Sequence, residues 1–259
     1  MQNFPPPGQN YPPPGGAYPP PPQTPAPPPK SKTPWLIAGV GCLVLLVVGA
    51  IALIGGLAYI GKQVQSTQPT HVPAASQRAG TQQYVNTREG RTGPLAENYV
   101  DFSFYYPDDW TLVPNQKTNF VKVERSDENK TTLENFAVGW VSASGTALDK
   151  KLMPQLAQQI TSQFAQSFQD FEKASEGETK VGAYEGYEVK FTAKLPGTPK
   201  GDADIYGRVV LLPPPAGQTK GVALVMLATS LAPEINDLDD VGVAGEMPVI
   251  LDSFRFGTK

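Results

Sequence analysis

Hydrophobic and polar positions divide this chain into segments of different character. Residues 35–60 form one unbroken uncharged run, WLIAGVGCLVLLVVGAIALIGGLAYI. Residues 61–94 show no hydrophobic period and are rich in Gln, Thr, Ser, Gly, Ala and Pro. From Leu95 onward the pattern becomes regular. Residues 99–106 alternate toward a turn at Pro107, Asp108 and Asp109, residues 110–113 lead away from it, and residues 120–125 and 136–141 read as two further strands. The period then lengthens. Leu152, Leu156, Ile160, Phe164 and Phe168 recur every fourth position with Met153 and Ala157 beside them, while Gln155, Gln158, Gln159, Ser162, Gln163 and Gln166 fill the opposite side. That is an amphipathic helix with Pro154 tolerated in its first turn, and its uncharged polar face fits a helix covering a sheet rather than one lying on a membrane. Strands follow at 187–193, 205–212 and 222–229, with Gly182 and Gly186 flanking a turn, then a helix over 238–251 and a short closing strand at 253–256. The expected fold class is α+β with a largely antiparallel sheet sandwiched by helices.

The uncharged run reads as a transmembrane helix. Roughly 20 apolar residues span a hydrocarbon core of about 30 Å, so this stretch is long enough to cross with tilt. Trp35 and Tyr59 sit near its ends, where amphipathic rings favour the headgroup level. The run exceeds the roughly 7 to 15 apolar residues of a cleaved signal, which makes it an uncleaved signal anchor. Cys42 has most of the run on its C-terminal side, the wrong place for a lipidated cysteine, and it reads as a small apolar residue in the helix. Of the small residues only Ala52 and Gly56 are spaced to let a second helix approach. Lys30 and Lys32 before the span, against Lys62 after it, point the N-terminus inward. The expected location is the cell membrane, single-pass, with a cytoplasmic N-terminus, the bilayer as partner through residues 35–60, and an extracytoplasmic C-terminal domain.

Residues 1–33 repeat an aromatic followed by prolines: Phe4, Tyr11 and Tyr18 each precede a run of at least three. Such a disordered, polyproline-type tail has no means of building a packed core. It is either a ligand for a proline-recognising cytoplasmic partner, with the aromatics as anchors, or a spacer. The domain plan is therefore a Pro-rich tail (1–33), a transmembrane helix (34–60), a flexible linker (61–94) and an extracytoplasmic domain (95–259). The chain's one histidine, His71, falls in the linker, where nothing fixes a partner beside it.

Composition limits the chemistry of residues 95–259. They hold 15 Lys and Arg against 23 Asp and Glu, a balance of −8, which makes nucleic acid an unsuitable partner. With neither His nor Cys there, Ser-His and Cys-His nucleophilic catalysis and the usual zinc sites are excluded, and no disulfide supports the fold. Asp237, Asp239, Asp240 and Gly242 resemble a calcium loop only faintly, since Val241 and Pro248 occupy positions that should carry oxygen ligands. They read better as a helix cap. Asp202 and Asp204 read as an exposed turn after Gly201, and Asp108 with Asp109 as a β-turn. Asn129-Lys130-Thr131 matches a glycosylation acceptor. Tyr105, Tyr106, Trp110 and Trp140 fit either a core or a ligand groove, and the 213–218 loop is a rigid exposed turn.

Four stretches taken together, FSFYYPDDW at 102–110, YEGYEV at 184–189, the strand at 222–229 and ILDSFRF at 250–256, resemble the PsbP-like superfamily. The resemblance implies an antiparallel sheet between helices and a role as an assembly factor, extrinsic subunit, import-factor partner or cargo chaperone. It implies no catalytic, cofactor-binding or metal residue and no cofactor. The expected function is a membrane-anchored binding or assembly module with an envelope protein as partner, not an enzyme. The alternatives are a carboxylate-based envelope hydrolase and a sensor or adaptor whose tail recruits a cytoplasmic partner. Replacing Phe4, Tyr11 and Tyr18 together by Ala abolishes recruitment of a cytoplasmic protein if the tail is a ligand, and leaves it unchanged if the tail is a spacer; a pull-down with the full chain reads the difference.

Overall fold

The computed structural model describes residues 79–114, 116, 118–141, 152–215, 218 and 220–257. The tail, the 35–60 span, Cys42 and His71 lie outside the described residues, and among those described no helix is long and apolar enough to cross a membrane.

In chain order the elements are β1 (Thr81–Val85), α1 (Pro94–Glu97), β2 (Phe102–Pro107), β3 (Thr111–Leu112), β4 (Val121–Ser126), β5 (Thr132–Val141), α2 (Met153–Ser167), β6 (Gln169–Val181), β7 (Tyr184–Thr198), β8 (Gly201–Leu212), β9 (Gly221–Thr229), a 3-10 turn (Leu238–Asp240), α3 (Met247–Ser253) and β10 (Arg255–Phe256). Two antiparallel sheets result, a seven-stranded one in the order β3-β4-β5-β9-β8-β7-β6 and a three-stranded one in the order β1-β2-β10. The expected α+β arrangement with a largely antiparallel sheet is present; its covering layers, expected to be helices, include the three-stranded sheet as well.

Register sorts the side chains of the large sheet. Val123 opposes Phe136 and Phe136 opposes Met226, so these share one face, while Val225, Val209, Leu227 and Phe191 share the other. Helix α2 covers the second face. Its buried stripe of Met153, Leu156, Ala157, Ile160 and Phe164 lies at the predicted spacing, and the Phe164 ring packs 5.1 Å from Phe191. The small sheet and α3 cover the first face: Phe104 of β2 meets Phe136 edge-on at 5.2 Å, and Ser253 of α3 ties to β2 by accepting from the Tyr105 amide at 2.8 Å.

Four local features differ from the sequence reading, each for a physical reason. Strand β1 lies inside the segment read as linker; only its Tyr84 is buried, so polar composition concealed it. Strand β6 is polar along nearly its whole length because it is the edge strand, with only Val181 buried. The expected 238–251 helix is broken in two, since Gly242 and Gly245 adopt φ of 78° and 67°, outside helical geometry. Asp202 and Asp204 belong to β8 rather than to a turn, and the hairpin bend lies at residues 199–200.

Gly207 fixes how closely α2 can sit. It opposes Phe191, and a Cβ at this position would meet the Phe191 ring at 2.1 Å. Phe164, Phe168 and Phe171 gather around that ring within 5.8 Å. Gly207→Ala therefore overpacks the core and costs about 1–3 kcal/mol, read as a lower urea midpoint with the slope unchanged.

Candidate functional site

A cleft lies where the β6–β7 hairpin ends under the start of α2. A two-residue turn at Gly182 and Ala183 sets the hairpin register, with Val181 opposite Tyr184, Lys180 opposite Glu185 and Glu178 opposite Tyr187. Because side chains alternate, these last four face the same side of the sheet. With Met153 of α2 and Pro213 after β8 they line a space of about 190 Å³. Gly186 forms part of the wall, and a Cβ there would meet both the Leu211 carbonyl oxygen and Leu212 at 2.7 Å, so a larger residue would push β7 off β8. The lining combines two carboxylates, one ammonium and a phenol. Burial pushes the Tyr187 hydroxyl up and Glu176 adds to the shift, while Lys173 opposes it.

A strongly perturbed carboxyl group lies on the other face. Glu134 of β5 stands directly across from Arg125 of β4 and is 0% exposed. Arg125 Nη2 lies 2.6 Å from Glu134 Oε2, yet neither carboxylate oxygen is aligned to accept a hydrogen bond from it. The same guanidinium donates to Glu234 at 2.7 and 3.3 Å and stands 3.8 Å from Glu246. Glu246 in turn accepts from the Trp110 indole at 2.8 Å. Burial pushes the Glu134 carboxyl up to about 7, opposed by Arg125 and reinforced by Glu234 and Glu246. The hydrogen bonds to Glu234 and the surrounding carboxylates raise Arg125 despite its burial, and Glu234 is held low mainly by its bonds to Arg125.

Further along this face Arg208 donates to Glu188 at 2.8 Å, and Lys190 pairs with Asp239 at 2.7 Å. The Asp237 cluster is a cap, as its pattern suggested. Asp237 accepts from the Asp239 amide at 2.8 Å, Asp240 accepts from the Asn236 amide at 2.7 Å, and those backbone bonds hold the Asp240 carboxyl low. Among the described residues no group of three or more acidic, His or Cys side chains is arranged to hold a metal ion.

Tyr105, Tyr106, Trp110 and Trp140 are buried, which places them in the core rather than along a groove. Asp108 and Asp109 form the expected turn, closed by the Trp110 amide donating to Pro107 at 3.1 Å. Asn129 is exposed at the β4–β5 bend, where Asp127 accepts from the Asn129 and Thr131 amides at 2.9 Å. Sequence reasoning missed Arg125, Glu134 and Glu234. Each sits in a segment of ordinary charge content, and only the fold brings positions 125, 134, 234 and 246 together. Of the cleft residues, Glu178, Thr179 and Lys180 carry no signal, because the polar sequence of β6 has no strand period.

No protein-family description and no curated protein matches the chain. Among solved structures it is similar to LpqN of Mycobacterium tuberculosis, described as involved in cell envelope biogenesis, at 14% identity and a TM-score of 0.41, over 68% of this chain and 91% of that one. It is also similar to cyanobacterial PsbP from Synechocystis, at 14% identity and a TM-score of 0.40, over 72% of this chain and 98% of that one. Likeness at this level says nothing about activity.

Arg125→Met leaves Glu134 buried without its cation. The substitution costs about 3–5 kcal/mol at pH 8 and less at pH 5, where Glu134 carries a proton in both proteins; denaturant titrations at the two pH values check both the size and the sign.

Proposed function

We propose that this protein is a single-pass envelope protein, anchored through residues 35–60, whose extracytoplasmic domain is a binding or assembly module that takes an extended basic segment of an envelope protein along β6, with one side chain in the β6–β7 cleft. The observation that carries the reading is that cleft and sheet edge coincide: Glu178 and Lys180 line the cleft and belong to the edge strand. An edge strand offers backbone donors and acceptors to an added strand, and a pocket for alternate side chains supplies specificity. At about 190 Å³ the cleft is below the roughly 300–1,000 Å³ of small-molecule sites and suits a single side chain. Its two carboxylates and the domain's balance of −8 favour a cationic one.

The carboxylate-hydrolase alternative asks for a poised acid that touches substrate. Glu134, with its raised carboxyl, is sealed from solvent on the face away from the cleft and is not offered to one.

The test uses the full-length chain as bait against envelope extract, with identification of the retained proteins and direct binding of the dominant one. One dominant partner is expected, with binding lost in Glu178→Lys and Tyr187→Ala. Retention unaffected by both substitutions overturns the cleft assignment, and product formation from cell-wall glycan or peptide without any retained protein overturns the binding-module reading.

A further inference from the structure

The connection from β9 to α3, residues 230–246, crosses the first face of the large sheet as a strap. Apolar anchors hold it from beneath: Ala232, Ile235 and Val241 are buried. Its polar anchors come from the sheet, with Arg208 and Lys190 reaching Val241 and Asp239 and Arg125 reaching Glu234 near the strap's start and Glu246 at its end. Gly245 closes the strap over Glu134, where a Cβ would lie 3.2 Å from Glu134 Oε1.

One guanidinium therefore serves three carboxylates, two on the strap and one fixed in the sheet. We propose that Arg125 and Glu134 form a proton-operated clamp, in which neutral Glu134 leaves the guanidinium to Glu234 and Glu246 and fastens the strap, and ionised Glu134 competes for it and loosens the strap.

The charges around Glu134 set the direction. Arg125 faces it from β4, Glu234 and Glu246 face it from the strap, and its neighbour on β9 is Ala228, which carries no charge. Ionising Glu134 thus adds a negative charge beside two others with one cation among them. Glu234 and Glu246 are 42% and 36% exposed, so water competes for them as soon as Arg125 is drawn away, whereas Glu134 at 0% has no water to turn to. The sheet-side carboxylate keeps the cation and the strap loses it.

The pH window follows from linkage. With the strap closed, the Glu134 carboxyl is pushed up to about 7; with the strap open and the group hydrated, its affinity for a proton returns toward the ordinary carboxylate range, near 4.3. A group that binds its proton more tightly in the closed form stabilises that form below the open-state value, and the stabilisation is lost as pH rises through about 7. Glu234 stays ionised through this window because its bonds to Arg125 hold it low. The strap is fastened near pH 5 and loosened above pH 7, with the opening equilibrium rising up to about tenfold per pH unit between those limits.

Hydrogen exchange on the full-length chain, corrected for intrinsic amide rates, tests the clamp together with the Trp110 indole N–H, whose bond to Glu246 reports it directly. Protection of residues 230–246 should fall at least about tenfold between pH 5 and pH 7.5, and the Trp110 indole signal should move with it, while β8 and β9 keep their protection. Glu134→Gln should hold the strap fastened at both pH values, and Glu234→Gln should leave it loose at both. Equal protection of the wild-type strap at pH 5 and pH 7.5 overturns the proposal, and so does an equal fall in wild type and Glu134→Gln.

Discussion

Strand β9 turns neither face to water. All nine of its residues are buried, and β5 on one side and β8 on the other extend that dry strip across the middle of the sheet. At roughly 25 cal/mol per Å² of apolar surface, leaving either face open would forfeit much of what holds the fold together. The covering elements answer that requirement. Helix α2 covers one face, and the small sheet with α3 and the strap covers the other. The aromatic residues do most of the filling: Phe102, Phe104, Phe120, Phe136 and Phe254 meet on the small-sheet side, and Phe164, Phe168, Phe171 and Phe191 on the helix side.

The requirement also explains what was readable from the chain. Elements that bury an apolar stripe announce it by period, so β2, β4, β5, α2, β8 and β9 appear in the pattern of residues. Elements whose role is to end the structure do not. Strand β6 buries little beyond Val181, and β1 buries Tyr84 alone, so both have the composition of loops. Periodicity predicts one helix over 238–251 where two short ones stand, because apolar spacing says nothing of left-handed backbone at Gly242 and Gly245. The ion cluster was illegible for another reason: Arg125 and Glu134 become opposite partners only through the β4–β5 register, and Glu234 arrives from a hundred residues later in the chain. Resemblance to the PsbP-like superfamily implied an antiparallel sheet between helices; the antiparallel sheet is present, with a helix over one face and a second, three-stranded sheet with α3 over the other.

The two polar assemblies occupy opposite sides of the molecule. The cleft shares a face with α2, whereas the Arg125 cluster lies under the strap. Their characters differ accordingly. The cleft is lined by side chains that reach solvent at the open edge of the sheet. The cluster holds a carboxyl group that shares the Arg125 cation with two others, in a place where water does not reach. The binding proposed for the cleft and the proton response proposed for the cluster therefore rest on separate residues.

Strand β1 carries a mechanical consequence. The described chain enters the fold through it, so a pull applied at residue 79 arrives first at Thr81. Five cross-strand pairs with β2, from Thr81 opposite Pro107 to Val85 opposite Ser103, share the load. The far end is bolted down: Tyr84 lies between Phe102 and Phe104, donates to the Phe120 carbonyl at 3.0 Å and accepts from Arg91 at 2.6 Å. A pull at residue 79 peels the polar end first and meets its greatest resistance at Tyr84, so a few residues of β1 come free before the core feels the force.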